Sequence, residues 1–363
     1  MNQDTLLVIL RRFFAFDGEK QLHEFPQNDE VLELAFQHNI GLVVGDMMKL
    51  DRKQRLVNRI LRQKNSQRFY ENLRNFSPVA TELDSAQIPY CITKGIYAAK
   101  TAYVDESYRK SDDLDVVINR EDYAEVKKIL LENGYIQGIY DEKEKKIKPF
   151  TRQQEIFYLS YTQQSAPFVK KIENDLLPVI NLDLNFHIFW NNSSSMDIRE
   201  MIGKSQVLDY KGFQVKTFQD EYMLLHMCLH AYYDMNSIYV LYKTYSYSLK
   251  YFADIYGFIK RANINWESFR TICETYQVEN YIMYIIYYTS VIFEDKGILE
   301  NTSMKVPDER FLNQFGLDKE GTYHWEEEFM QRLFCEDRKS LLFQYISDDN
   351  KEKIEQGIKL EGM

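Results

Sequence analysis

Three aspartates in two apolar runs are the residues whose types and spacing best suit chemistry. Asp113 and Asp115 open the run Asp113–Ile118 (DLDVVI), and Asp183 lies within Val179–Phe189 (VINLDLNFHIF). Residues two apart in a β-strand project from the same face, about 6.6 Å apart along the strand. Asp113 and Asp115 are therefore predicted to share one face. Two carboxylates held so close repel each other unless a cation lies between them.

A hard divalent metal, Mg²⁺ or Mn²⁺, suits such a group because it prefers oxygen ligands and leaves positions open for phosphate. Three carboxylates suffice for two metals about 3.5–4 Å apart, one activating an attacking hydroxyl and the other neutralising a leaving pyrophosphate. A lone Asp-x-Asp is as typical of a solvated strand end or an Asx turn. The order of elements around this one favours chemistry: strand, glycine turn, helix, arginine, Asp-x-Asp strand, helix ending in glycine, and a later strand carrying an aspartate.

The second apolar run carries its polar side chains on one face. Alternation places Asp183, Asn185 and His187 together, opposite Leu182 and Leu184. This polar face is predicted to lie beside the Asp-x-Asp strand. His187 then either contacts a nucleotide or is a hydrogen-bonded core histidine.

The elements that position these residues are predicted to form a small mixed α/β core between two helical regions, an α+β fold. The predicted division is a helical N-terminal region at 1–80, the core at 81–218 and a helical C-terminal domain at 219–363. Strands are predicted at 88–93, 113–118, 155–161 and 179–189. Helices are predicted at 96–104, 122–131, 222–233, 245–261, 266–276, 279–293 and 326–345. The charged segment after Tyr345 is expected to fray.

The segment Ile92–Tyr135 (ITKGIYAAKTAYVDESYRKSDDLDVVINREDYAEVKKILLENGY) resembles the core of the uncharacterised bacterial nucleotidyltransferases of the DNA polymerase β superfamily. In that family Lys-Gly follows the first strand, a helix and a Tyr come next, and an Arg shortly precedes Asp-x-Asp. The matching residues are Lys94, Gly95, Tyr103 or Tyr108, Arg109, Asp113 and Asp115. Three later segments are also similar to the family: DLNFHIFW (Asp183–Trp190), LLHMCLHAYYD (Leu224–Asp234) and YFADIYGFI (Tyr251–Ile259).

The resemblance implies a polymerase β-like core that moves a nucleoside monophosphate from a nucleoside triphosphate to an acceptor and releases pyrophosphate. It implies Asp113, Asp115 and Asp183 as catalytic metal ligands for Mg²⁺ or Mn²⁺. It also implies nucleotide contacts from four further residues: Lys94, Gly95, Arg109 and His187. The chain departs from the pattern in two places. Lys94-Gly95 stands where the wider superfamily has Gly-Ser, and Asn185 stands where the family's acid is more frequent, so the third ligand is Asp183 or a neighbour.

Each nucleotide-side residue has an alternative role. Lys94 is a phosphate ligand or a surface lysine in an ordinary turn, and Arg109 holds a phosphate or neutralises Asp112 and Asp113. The function has an alternative as well: a non-catalytic nucleotide- or partner-binding module of regulatory or toxin–antitoxin type.

The net charge and the pI limit the classes of acceptor that are expected. The net charge of −10 and the pI near 5.3 argue against a nucleic-acid acceptor, which favours a small molecule or a protein. A basic cluster between Asp51 and Asn75 is either a solvated helix face or a patch for an anionic partner. The four cysteines lie far apart, and no segment reads as a signal peptide or a membrane span, so a cytoplasmic protein is expected.

Two further sets of residues in the C-terminal helical region are candidates for a function. His226 and His230 have the i, i+4 spacing of a zinc pair, but Met227 stands in place of the HExxH glutamate and no third ligand is evident. Seven tyrosines, several of which are expected to line a cleft facing Asp113, crowd into one segment: Tyr232, Tyr233, Tyr239, Tyr242, Tyr245, Tyr247 and Tyr251.

Overall fold

The computed structural model describes residues 2–15, 24–161, 164–190, 196–243, 247–317 and 320–361. The fold is α+β, as predicted, with one large mixed sheet and many helices. The helices before the sheet are α1 (Asn2–Ala15), α2 (Asp29–Gln37), α3 (Gly41–Met47) and α4 (Arg52–Ser85). Within the described residues, no helix has the length and apolar character needed to cross a membrane.

The long helix α4 begins at a capping box, in which the Asp51 side chain accepts a hydrogen bond from the Gln54 backbone N–H and Gln54 Oε1 accepts one from the Asp51 backbone N–H. It continues to Ser85, whereas the N-terminal region was predicted to end at residue 80. The basic cluster lies on this helix. Part of that cluster is a solvated face, and part pairs with acids of this chain, as Arg62 does with Asp46 and Arg68 with Asp112.

The main sheet has eight strands in the order β4-β3-β5-β6-β2-β1-β8-β7. Their bounds are β1 (Tyr90–Ile92), β2 (Leu114–Ile118), β3 (Ile136–Asp141), β4 (Lys146–Pro149), β5 (Phe168–Lys171), β6 (Val179–Asn185), β7 (Ser205–Tyr210) and β8 (Phe213–Phe218). The pairs β2–β6 and β1–β8 are parallel, and the other neighbours are antiparallel. A small second sheet joins β9 (Gln314–Phe315) and β10 (Tyr323–His324).

The remaining helices are α5 (Gly95–Ala102), α6 (Tyr123–Glu132), α7 (Arg152–Tyr161), α8 (Ile198–Gly203), α9 (Asp220–Asn236), α10 (Ile238–Tyr242), α11 (Leu249–Arg261), α12 (Trp266–Tyr276), α13 (Glu279–Phe293), α14 (Gly297–Thr302), α15 (Glu309–Asn313), α16 (Phe329–Leu333), α17 (Arg338–Tyr345) and α18 (Asp348–Glu361). Helix α11 packs closely on α5. A Cβ atom at Gly257 would lie 2.2 Å from the Ala102 carbonyl oxygen, so only glycine permits this approach.

The two faces of the sheet belong to different hydrophobic cores. Leu114, Val116 and Ile118 of β2 are buried in a core with α4 and α6. Val117 belongs instead to the core that contains the C-terminal helices. Because side chains alternate along a strand, Asp115 shares the face of Val117 and is directed toward the C-terminal helices.

Several predicted elements differ from the structure. Glu155–Tyr161 alternates in hydropathy but belongs to helix α7, because Thr151 and Gln154 exchange hydrogen bonds that start a helix there. Strand β6 ends at Asn185 rather than at Phe189. The single helix predicted at 326–345 is two helices, the second capped by Asp337.

Other elements were missed or misjudged. The segment after Tyr345 forms α18, although it was expected to fray. Strands β3, β4, β5, β7 and β8 were not predicted.

Candidate active site

The three aspartates line one cavity of about 350 Å³. Strands β2 and β6 are parallel neighbours whose register pairs Asp115 with Asp183, and Asp113 immediately precedes β2. On the opposite face of the same strands, Leu114 and Val116 pair with Leu182 and Leu184, and all four are buried. A slip of one residue would expose those apolar side chains, so the buried face fixes the register that brings the carboxylates together.

Burial and mutual repulsion raise the pKa values of two of these carboxylates. Burial, reinforced by the charge of Asp115, raises the pKa of Asp113 to about 6. Burial, together with the charges of Asp113 and Asp115, raises the pKa of Asp183 to about 7. Asn185 donates a hydrogen bond of 3.2 Å from Nδ2 to Asp115 Oδ1. Asn185 therefore helps to position Asp115 and adds no negative charge to the three carboxylates. The cavity therefore favours a cation beside these carboxylates.

The turn between β1 and α5 supplies the nearest positive charge. Lys94 Nζ lies 3.2 Å from Asp115 Oδ1, and although burial opposes it, the charges of Asp115 and Asp113 raise the pKa of Lys94. The Lys94 backbone has φ +42°, a strained value for a residue with a side chain. A Cβ atom at Gly95 would lie 2.1 Å from Ser111 Oγ, so a larger residue here would have to displace the Ser111 hydroxyl. The turn thus presents a lysine and the N-terminus of α5 to the cavity.

Arg109 lines the same cavity but connects the sheet to the C-terminal helices. Its Nε lies 2.9 Å from Asp254 Oδ2 on α11, and its Nη1 donates to the Gly95 carbonyl oxygen and to Ser111 Oγ. The Tyr103 hydroxyl donates to the other oxygen of Asp254 at 2.8 Å. Arg109 is therefore paired with Asp254 and not, in the described residues, with either acid that the sequence suggested.

Two basic side chains already form ion pairs with Asp112. Arg68 Nη1 lies 3.0 Å from one Asp112 oxygen, and Lys110 Nζ lies 2.6 Å from the other. Among the described residues, the cavity carboxylates without an ion pair are therefore those of Asp113 and Asp183, while Asp115 pairs with Lys94.

The far wall of the cavity comes from α9 and α11, of whose lining residues Tyr251 was expected from the sequence. These helices contribute Met227, His230, Lys250, Tyr251, Asp254 and Ile255. Burial, and then the nearby charge of Arg109, lowers the pKa of Lys250 to about 8. The Lys250 ammonium makes no ion pair within 4 Å among the described residues. The family-like segments LLHMCLHAYYD and YFADIYGFI pointed to these helices, but a helical pattern does not show which side chains face a distant strand.

Two expectations about side chains are not met. His187 is exposed and is not among the residues that line the cavity, so it is not a core histidine, and the structure does not bring it to the aspartates. Of the clustered tyrosines that the structure describes, only Tyr251 lines the cavity. Tyr232 and Tyr247 are buried instead, and Tyr232 stacks on Trp190. Tyr245 lies outside the described residues.

The three aspartates share one cavity. Over the ranges that the structure describes, no group of three or more His, Cys, Asp or Glu side chains is arranged to hold a metal ion. The expectation that the three carboxyl groups lie within reach of a common metal pair stays a prediction, and in this arrangement Lys94 pairs with Asp115. The donor set itself, three carboxylates on adjacent strands, has the all-oxygen chemistry that Mg²⁺ and Mn²⁺ prefer.

Comparison with known proteins agrees with the earlier resemblance at the level of the family. Residues 26–294 match the family described as uncharacterised nucleotidyltransferase. Among solved structures, an antigenic nucleotidyltransferase-like protein from Paracoccidioides brasiliensis is similar, with 16% identity, a TM-score of 0.35, and coverage of 66% of this chain and 95% of that one. None of the curated proteins matches. Because the family match spans most of the chain and contains every residue that lines the cavity, the protein belongs to this nucleotidyltransferase family.

Proposed function

We propose that this protein transfers a nucleoside monophosphate from a nucleoside triphosphate to an acceptor and releases pyrophosphate, on a core of the polymerase β type. One observation carries the proposal: Asp113, Asp115 and Asp183, on strands paired in parallel register, share a cavity with Lys94 and the N-terminus of α5. Carboxylates with elevated pKa beside an anion-binding helix start are suited to a substrate that brings both phosphate and a cation.

The metal ligands in this proposal are Asp113, Asp115 and Asp183, with Mg²⁺ or Mn²⁺ as the ion. When bound there, the ion would neutralise the carboxylates and the developing charge on the phosphates. Lys94, which pairs with Asp115 in this structure, would then be available to a phosphate oxygen.

The phosphates have three binding partners in the proposal. The first amides of α5 donate hydrogen bonds, Lys94 contributes from the turn, and Lys250 contributes from the far wall. Arg109 has a different role, because its pair with Asp254 holds α11 against the sheet. His187 is exposed outside the cavity and has no part in the proposed site.

The acceptor in this proposal is a small molecule or a group on another protein. A cavity of about 350 Å³ lies at the small end of the range for ligand pockets. The net charge of −10 disfavours a long polynucleotide, which would be repelled along its length.

The experiment that tests the proposal measures binding and turnover in parallel. Each of the four nucleoside triphosphates is titrated into the protein in Mg²⁺, in Mn²⁺ and in EDTA, and pyrophosphate release is followed in the same buffers. Asp115→Asn is expected to abolish metal-dependent binding and pyrophosphate release. Asp209→Asn is the matched control, since Asp209 is an exposed strand aspartate outside the cavity.

A second candidate function is nucleotide or partner binding without transfer. The observation that favours it is that the cations beside the aspartates already have partners: Lys94 pairs with Asp115, and Arg109 pairs with Asp254. This candidate predicts that triphosphate binds equally well in EDTA and in Mg²⁺, and that no pyrophosphate is released under either condition.

A further inference from the structure

The two histidines of α9 lie one turn apart in different surroundings. His226 is buried near the ring of Phe218, at a centroid distance of 6.2 Å. His230 lines the cavity, and its side chain is 35% exposed although almost all of the preceding turns of the helix are buried. The i, i+4 pair is thus divided between the core and the cavity, and only His230 faces the aspartates' cavity.

A buried carboxylate, that of Asp234, lies beside the His230 ring. Asp234 lies one turn further along α9, its side chain is 10% exposed, and its Oδ2 is 3.5 Å from His230 Nε2. The same oxygen accepts a hydrogen bond from the Tyr251 hydroxyl on α11. A carboxylate beside Nε2 favours the tautomer with hydrogen on Nε2, which leaves the lone pair of Nδ1 to accept a proton. Asp234 therefore contacts both Tyr251 on α11 and His230 at the cavity.

The other polar groups of the far wall are already engaged or cationic. Asp254 accepts hydrogen bonds from Tyr103 and Arg109, and Lys250 is an ammonium group. Partial burial, and then the charge of Lys94, lowers the pKa of His230. The ionisable groups around His230 are His226 and Asp234 on α9, Lys250 and Tyr251 on α11, and Lys94 and Arg109 on the opposite side.

We infer that His230 takes the proton from the acceptor in nucleotidyl transfer, that Asp234 positions its ring, and that the acceptor group is a hydroxyl. The inference rests on the proposed function. The hydroxyl O–H bond breaks and its proton moves to His230 Nδ1, while the hydroxyl oxygen forms a bond to the α-phosphorus. The bond from the α-phosphorus to the bridging oxygen breaks, and its electron pair leaves with pyrophosphate. The imidazolium, which Asp234 stabilises, then returns the proton to water.

The test separates the chemical step from nucleotide binding. Pyrophosphate release is measured with water and with glycerol as acceptors, and the Kd is measured with the α,β-methylene analogue of the triphosphate. His230→Gln cannot take up a proton, and it is expected to lower kcat at least 100-fold, in the range for a general base. The analogue's Kd is expected to change less than twofold. His187→Gln, at an exposed histidine outside the cavity, is the control and is expected to match the wild type.

Two further variants distinguish proton transfer from a structural role. His230→Ala is expected to regain activity when imidazole is added to the buffer. Asp234→Asn is expected to lower kcat in the wild-type background and to have no further effect in the His230→Gln background, because a positioning residue acts only through its partner. An effect of Asp234→Asn that is equal in both backgrounds would contradict the positioning role.

The outcomes also separate this inference from the proposed function. If Asp113→Asn abolishes pyrophosphate release while His230→Gln stays within threefold of the wild type, the proposed function holds and the role of His230 is wrong. If the wild type releases no pyrophosphate with any triphosphate, both are wrong.

Discussion

Replacing Asp183 by Asn is predicted to stabilise the metal-free protein. At about 1.4 kcal/mol per pKa unit, the rise in the pKa of Asp183 from 3.8 to about 7 corresponds to about 4 kcal/mol of strain in the ionised form. Burial is the larger cause of this rise, followed by the charges of Asp113 and Asp115, and because the three carboxyls titrate together we expect roughly half, about 2 kcal/mol, from one substitution. Because the folded protein holds this proton more tightly than the unfolded chain, the wild type loses stability as pH rises from about 4 to about 7.

The gain in unfolding free energy is therefore predicted to be complete at pH 8 and absent near pH 4. Urea unfolding in EDTA at both pH values measures it. Asp112→Asn is the control, since Asp112 already pairs with Arg68 and Lys110 and should show no such gain. A loss of stability for Asp183→Asn at pH 8, or an equal change at both pH values, would refute the electrostatic account of the site.

Three further predictions concern the residues around the aspartates. Arg109→Met leaves the buried Asp254 without its cation and is expected to lower the free energy of unfolding by about 3–5 kcal/mol in urea titrations; a change below 1 kcal/mol would contradict this. Gly95→Ala is expected to destabilise the protein by about 1–3 kcal/mol, with a smaller loss in the Ser111→Ala background, where the obstructing Oγ is absent. Lys250→Met is expected to weaken triphosphate binding about tenfold at pH 7 and much less at pH 9, because the pKa of Lys250 near 8 removes the charge of the wild type there; calorimetric titration at the two pH values checks it.

The strands that carry the aspartates could be predicted because their signals are local. The apolar run of β2 and the alternation of β6 show the strands and the face that carries Asp115 and Asp183. The turn at Lys94-Gly95 was also visible in the sequence. That β2 and β6 are parallel neighbours in register depends on packing across the sheet, and the sequence suggested only that they could lie side by side.

The rest of the site depends on tertiary packing that no local pattern encodes. Arg109 was expected beside phosphate or its neighbouring acids, but it pairs with Asp254, far along the chain on α11. Lys250 reaches the cavity on α11, which packs tightly on α5 at Gly257, and His230 reaches it from α9. The tyrosine cluster did not predict the residues that line the cavity, because these rings also fill the aromatic core of the C-terminal helices. Tyr232, for example, packs against Trp190.

The central claim is that Asp113, Asp115 and Asp183 hold divalent metal against a triphosphate. The most direct measurement is a crystal structure grown with Mn²⁺ and an α,β-methylene nucleoside triphosphate, with anomalous scattering recorded to locate manganese. We predict anomalous peaks between the three carboxylates and a triphosphate that extends from them toward the start of α5. A triphosphate bound elsewhere, or one bound in this cavity without manganese at the aspartates, would contradict the account.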